Sequence, residues 1–314
     1  MIEYDPKHWT SHLFDVRNSM SQAIFGRTVV CVGWSIMVLV SHDLILLRYK
    51  HDPVTIPTTI HTLVGFALGT LLVFRTNSSY DRFWEGRKLW GGIVNESRNL
   101  ARLVTVLFKD DPALVRSTLV WTMAWAHSAM HSLRGRSSLG PASQHFTRDE
   151  LALAEAAHHI PSHIAAILTA NLAEGRARGF VTDPLYAHLD QNVQLLIDYL
   201  GGCERIKKTP LPFAYMVHIR RALLLYCFTL PFALVSDFGA GAIVATFLVA
   251  YIFFGIEEIG VEIENPFDGD ENDLPLEKIC ATIDANLTAL LPPLAPDAAA
   301  IEASAPRREP VSIG

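Results

Sequence analysis

Apolar residues in this chain gather into a few long runs, and the length of each run against the thickness of a bilayer decides what it can be. Crossing a hydrocarbon core of about 30 Å takes about 20 residues without charge. Residues 54–74 are 21 consecutive uncharged positions, closed by Arg75. Residues 222–256 make a run of 35 with one formal charge, Asp237, which is too long for a single span. Asp237, followed by Gly239 and Gly241, predicts a tight turn between two antiparallel helices. Pro231 would kink the first of them, as a helix bundle tolerates. A fourth run covers residues 24–47. Its apolar centre, 28–41, is short, but Arg27 at one end and His42, Asp43 and Arg48 at the other are placed to snorkel to the interface. The pattern therefore predicts four membrane-spanning helices rather than buried helices of a large soluble protein. The 24–47 run is no signal peptide: it begins late, follows Tyr4, His8 and Trp9, and Ser41-His42-Asp43 is no small-residue cleavage site.

Residues 76–212 follow a different rule. Segments 94–108, 113–133, 148–158, 164–173 and 185–200 each repeat apolar residues at helical spacing, and strand-like alternation is scarce. Thr147 ahead of Arg148-Asp149-Glu150 predicts an N-cap with acidic residues in the first turn. Gly201-Gly202 predicts a helix stop, and residues 135–143 a loop. No repeat of 20–50 residues is visible. The expected organisation is an N-terminal segment 1–23, two spans within 24–75, a helical region 76–212, two spans within 213–258, an acidic loop and helix 259–293, and an Ala- and Pro-rich tail 294–314 expected to be disordered. The class is all-α.

Basic residues orient the spans. Arg75, Arg82, Arg87, Lys88, Arg98 and Arg102 follow the second span, and Arg205, Lys207, Lys208, Arg220 and Arg221 precede or open the third. The positive-inside rule puts residues 76–212 in the cytoplasm, and four spans then put both termini there. Arg48 and Lys50 in the opposite loop weaken this signal without reversing it.

Composition narrows the class further. Charged residues are 18% of the 314, against about 25% in an ordinary soluble protein, and the net charge is −6, which argues against a nucleic-acid partner. The cysteines (Cys31, Cys203, Cys227, Cys280) are far apart, with no C-x-x-C pair. That spacing is neither a disulfide framework nor a zinc site, and it suits a reducing compartment.

Four features carry candidate chemistry. The stretch from Arg75 to Trp90 leaves the second span rich in charges and aromatics, which an anchoring girdle on a continuing helix explains well. Residues 257–273 hold eight carboxylates with Asn265, Asn272, Pro266 and Gly269. Clustered oxygens on a turn suit a hard cation such as Ca²⁺, though the spacing is not that of an EF-hand and a solvated acidic loop fits equally. His127/His131 and His159/His163 are H-x-x-x-H pairs, with His158 beside the second. Such pairs could hold a metal in a membrane enzyme, but Pro161 interrupts the second pair and thirteen histidines make chance pairs common. Finally, Thr59, Leu63, Phe66, Thr70 and Phe74 fall on one face of the second span, with Gly65 and Gly69 permitting another helix to approach. The stripe could be plain packing surface. Repeated around a symmetry axis, it could gate ions by dewetting.

The combination resembles the bestrophin family of ion channels in its bacterial form. The match runs through Phe74-Arg75-Thr76-Asn77-Ser78-Ser79-Tyr80 and Glu85-x-Arg87-x-Leu89-Trp90-Gly91. It continues in Gly201-Gly202-Cys203-Glu204-Arg205-Ile206, Thr209-Pro210-Leu211-Pro212-Phe213-Ala214-Tyr215, Asn265-Pro266-Phe267 and Asn272-Asp273-Leu274-Pro275-Leu276. The resemblance implies a homopentamer in a bacterial inner membrane, without catalytic chemistry or a required cofactor. Its single pore would pass monovalent ions through a membrane neck and a second, cytosolic constriction. It implies a neck at Phe66, Thr70 and Phe74, where Thr70 replaces the usual Ile or Phe, with Thr59 and Leu63 on the same face. The cytosolic constriction falls on the Asp183-Pro184-Leu185 turn, chiefly Pro184. A calcium clasp carries over to Glu262, Asn265, Asp270 and Asp273, with Glu262 replacing a Gln. Animal members pass anions and bacterial members can favour cations, so the expectation leans to cations. The competing expectations are a metal-dependent membrane enzyme and a non-conducting structural membrane protein.

Overall fold

The computed structural model describes residues 20–49 and 56–293. The N-terminal aromatics, Lys50, the first two residues of the 54–74 run and the tail expected to be disordered lie outside it. Among the described residues every regular element is helical: α1 Met20–Tyr49, α2 Thr58–Leu107, α3 Pro112–Leu133, a 3₁₀ turn Gly140–His145, α4 Arg148–Glu155, α5 Ile160–Ala177, α6 Asp183–Lys208, α7 Phe213–Phe238, α8 Gly241–Glu262 and α9 Leu276–Thr288. Four of these, α1, α2, α7 and α8, are long and apolar enough to cross a membrane.

The 222–256 run divides as its charge pattern predicts. Gly239 takes a left-handed φ of +51° between α7 and α8, a conformation glycine adopts without a Cβ penalty. Its N–H donates to the Val235 carbonyl, 2.9 Å away. Thr147 caps α4 with a full capping box, its hydroxyl accepting from the Glu150 N–H while the Glu150 carboxylate accepts from the Thr147 N–H. Helix α2 continues past Arg75 to Leu107, the continuing helix of the girdle reading. One local expectation gives way. Gly201-Gly202 is no stop, because α6 runs through it to Lys208. A Cβ on Gly202 would stand 2.9 Å from Leu89 Cδ1, so glycine serves close packing there. The helix ends just before Pro210 instead.

The described residues form two compact units, within Met1–Leu89 with Gly202–Pro275, and within Trp90–Gly201 with Leu276–Gly314. The membrane boundary expected at residues 75 and 76 lies inside α2. In the first unit α1, α7 and α8 pack on one another around Ile24, Cys31, Leu72, Leu223, Cys227 and Phe254. In the second, α3 is central and α5, α9 and the 3₁₀ turn pack on it. Asp111 caps α3, its carboxylate accepting from the Leu114 N–H at 3.0 Å, with Pro112 in the first turn. Helix α9 presents Leu276, Cys280, Ile283 and Leu287 as its buried face, the 4-3-4 spacing of an amphipathic helix docked on a core.

Candidate functional site

Helix α2 has two faces in the first unit, and their separation defines the candidate site. His61, Leu68, Leu72, Arg75 and Ser79 are buried. Thr59, Leu63, Phe66, Thr70 and Phe74 are all exposed, Phe66 at 79% and Phe74 at 61%. At 100° per residue the centre of the second set lies about 180° from the centre of the first. The stripe is thus the face that α2 does not use within its own unit. The Thr70 hydroxyl donates to the Phe66 carbonyl at 2.9 Å. Gly65 is needed on the inner side, since a Cβ there would stand 2.7 Å from the Tyr226 hydroxyl. Gly69 has open space beside it.

The charges that close the stripe are arranged with care for burial. The Arg75 side chain is fully buried, with its guanidinium 3.8 Å from Glu257 and 3.7 Å from Glu264. Gly260 lies against it, where a Cβ would stand 3.1 Å from Arg75 Nε. Glu257 also receives Arg220 at 2.8 Å and Arg27 at 3.4 Å, and Arg27 reaches Glu258 at 2.9 Å. Three arginines therefore face three glutamates, which is how a low-dielectric interior accepts charge. Arg82 donates all three of its nitrogens to backbone carbonyls, of Glu264, Thr209 and Ile206, which satisfies orphan groups at helix ends. Glu264 in turn accepts from the Leu211 N–H at 2.8 Å. Phe267 and Pro266 pack against Gly86 at distances of 3.0–3.1 Å from where a Cβ would be. The motifs that carry the resemblance thus meet as a clamp around the middle of α2. The girdle reading missed Arg75 as a buried cation; its position in the 4-3-4 register of Leu68, Leu72 and Ser79 was the available signal.

The acidic loop is held by its own hydrogen bonds. Asp273 is buried, and one of its oxygens accepts from the N–H groups of Gly269 at 2.7 Å and Asp270 at 2.9 Å. Burial pushes its carboxyl above the usual range, with Asp270 and Asp268 adding to the rise and the two N–H donors opposing it. Asn265 donates to Asp268 and keeps a buried Oδ1 without a donor. Glu262 accepts from Asn272 at 3.3 Å, and Asp270 is exposed. Among the described residues no three His, Cys, Asp or Glu side chains group so as to hold a metal.

The histidine pairs are drawn into structural roles. His127 Nε2 lies 2.7 Å from Asp284. His159 caps α5, accepting from the Ser162 N–H at 3.2 Å. Pro184 and Leu185, expected in a turn, form the exposed first turn of α6, since proline is favoured at a helix start. Asp183 beside them pairs with Arg176 at 2.7 Å.

The chain is similar to known proteins over most of its length. Residues 1–289 match the bacterial/fungal bestrophin family. A voltage-dependent anion channel-forming protein of Nostoc sp. is 37% identical over 294 residues, covering 91% of this chain and 94% of the relative. One of the same description from Escherichia coli strain K12 is 32% identical over 287 residues, covering 91% and 93%. The crystal structure of a bacterial bestrophin homolog from Klebsiella pneumoniae superposes with a TM-score of 0.79 at 29% identity, covering 85% of this chain and 98% of that one.

Proposed function

This chain belongs to the bacterial/fungal bestrophin family, and from that premise we propose that it assembles as a homopentamer whose five α2 helices line a passive channel for monovalent ions. The observation that carries this reading is the exposed stripe of α2, turned away from the face by which α2 packs in its own unit. Five copies of that face around an axis would place Phe66, Thr70 and Phe74 as successive rings, apolar enough to gate by dewetting. Leu63 and Thr59 would continue the passage toward the other mouth. Pro184 and Leu185, exposed at the start of α6, would form the second, cytosolic ring. Basic residues around residues 76–212 support a bacterial inner membrane with both termini inside.

In this reading the channel favours cations. The Thr70 proton is committed to the Phe66 carbonyl, so a ring of threonines would present oxygen lone pairs rather than hydrogens to a passing ion. Anion conduction is the second reading, favoured by the printed description of the Nostoc and Escherichia coli relatives as anion channel-forming. Reversal potentials in asymmetric NaCl across a reconstituted bilayer decide between them: a shift toward the sodium potential supports the first and a shift toward the chloride potential the second. A protein silent in bilayers would overturn both.

The hydroxyl also eases wetting of the neck. Thr70→Ile is expected to lower single-channel conductance several-fold, because it replaces a ring of oxygens with methyl groups; an unchanged conductance would overturn the assignment of Thr70 to the neck. Calcium is optional here. Asp273 already accepts from the Gly269 and Asp270 N–H groups, and Asn265 Oδ1 is an acceptor left for a cation. Isothermal titration with millimolar Ca²⁺ is expected to give little heat.

A further inference from the structure

Helices α1 and α7 pack on each other in the first unit but leave an apolar groove between them. Gly26, Arg27 and Val30 of α1 and Leu224, Leu225 and Phe228 of α7 line a space of about 570 Å³. Gly26 contributes to its depth, since a Cβ there would meet nothing within 4 Å. Beyond Trp34, whose ring packs on Phe228 and Phe232, the same helix pair encloses a second apolar hollow of about 310 Å³ that reaches Met37 and Val235. The two spaces follow one another along the helices and together make a track for an extended hydrocarbon chain.

Charge marks one end of that track. Arg221 stands three and four residues before Leu224 and Leu225 and seven before Phe228, so it shares their face of α7. It is exposed and makes no hydrogen bond or ion pair with any described residue. Arg27, half-exposed across the groove, is held by Glu258 and Glu257. Two guanidinium groups therefore stand at the basic end of an apolar channel, one of them without a partner among the described residues. A guanidinium suits a phosphate oxygen pair, and basic residues at the cytoplasmic end of spans draw anionic headgroups.

We propose that this groove is a binding site for an anionic phospholipid, with the phosphodiester on Arg221 and Arg27 and an acyl chain along α1 and α7. The proposal rests on the reading of α1 and α7 as membrane spans. It assigns Arg221, unused in the charge cluster around Glu257, as the residue that selects the headgroup.

The test is native mass spectrometry of the purified full chain, released from detergent micelles after addition of phosphatidylglycerol or phosphatidylcholine. Retention of phosphatidylglycerol is expected to exceed that of phosphatidylcholine by about fivefold, the contribution of one basic residue near a bilayer surface. Arg221→Gln should bring the two lipids to equal retention, Arg221→Lys should keep the preference, and Gly26→Leu should lower retention of both by filling the groove. An unchanged preference in Arg221→Gln overturns the proposal. So does displacement of the lipid by glycerol 3-phosphate, which would make the site one for a free phosphate. Loss of the oligomer in Gly26→Leu would show instead that a second copy of this chain covers the groove, and would also overturn it. A protein that retains phosphatidylglycerol as described yet passes no current would remove the channel reading and leave the lipid site standing.

Discussion

Helix α1 buries five of its 30 residues, and two of these five are Thr28 and Ser35. Helix α3 buries sixteen of its 22, among them Leu119, Trp121, Trp125 and Met130. On α1 the large apolar side chains, Phe25, Val29, Val30, Ile36 and Met37, are the exposed ones. The two units obey opposite rules. Around α3 the surroundings are water, so burying apolar area stabilises and the charges stay at the surface. Around α1 the surroundings are lipid as apolar as the side chains themselves. Burial of Leu or Val then gains little, and the interior is left to small residues, hydroxyls and paired charges. Arg75 and Glu257 are buried in the first unit, whereas in the second the side chains of the Arg178–Glu174 pair are 49% and 48% exposed.

The largest effect that would sharpen this contrast comes from the buried charges. Glu257→Ala strips Arg75 of one of two carboxylates and releases Arg27 and Arg220, and is expected to cost about 3–5 kcal/mol. Glu174→Ala, its counterpart at an exposed pair with Arg178, should cost less than about 1 kcal/mol. Thermal unfolding of both variants in one detergent compares them directly, and equal losses would break the distinction.

Apolar side chains on the outer faces give a second comparison. Ile36 on α1 and Leu153 on α4 are both exposed, at 45% and 68%. Placing an aspartate mid-span costs about 2.5–3.5 kcal/mol on the insertion scale, so Ile36→Asp should sharply reduce the membrane-inserted fraction. Leu153→Asp should change stability by no more than about 0.5 kcal/mol. Equal tolerance at the two sites would mean that α1 does not face lipid.

The smallest effect probes the second unit alone. Burial holds His131 below its ordinary value of 6.5, and the charges of His127, Arg134 and Arg136 add to this while Glu277 opposes. The folded state therefore takes up that proton less readily than the unfolded chain. Its contribution to stability is present above 6.5 and is lost as the pH falls below that value through the lower folded one. The unfolding midpoint should therefore drop as the pH is lowered below 6.5, and His131→Gln should flatten that part of the profile. A profile unchanged by the substitution would remove His131 from the account.

Much of this architecture was legible in the chain because it is local. Uninterrupted apolar length marked the spans, Asp237 with Gly239 and Gly241 marked the turn between α7 and α8, and Thr147 marked the start of α4. The stripe from Thr59 to Phe74 was readable as one face of a helix from its spacing alone. Other features were not. Gly201-Gly202 looked like a helix stop, but glycine serves equally to admit a neighbour, and the neighbour is Leu89 from another part of the chain. The hydrogen bonds from the N–H groups of Gly269 and Asp270 to one oxygen of Asp273 were not legible either, because they depend on how the loop turns.

Sequence alone settled which segments prefer hydrocarbon to water, how many there are and which residues share a helical face, because these depend on composition and on the 3.6-residue period. Tertiary structure decided which face of α2 turns inward and that Arg75 is a buried cation rather than an interfacial anchor. The reason is that a charge can enter an apolar interior only where its counter-charges arrive, and Glu257 and Glu264 are brought to Arg75 by the packing of α8, not by proximity along the chain.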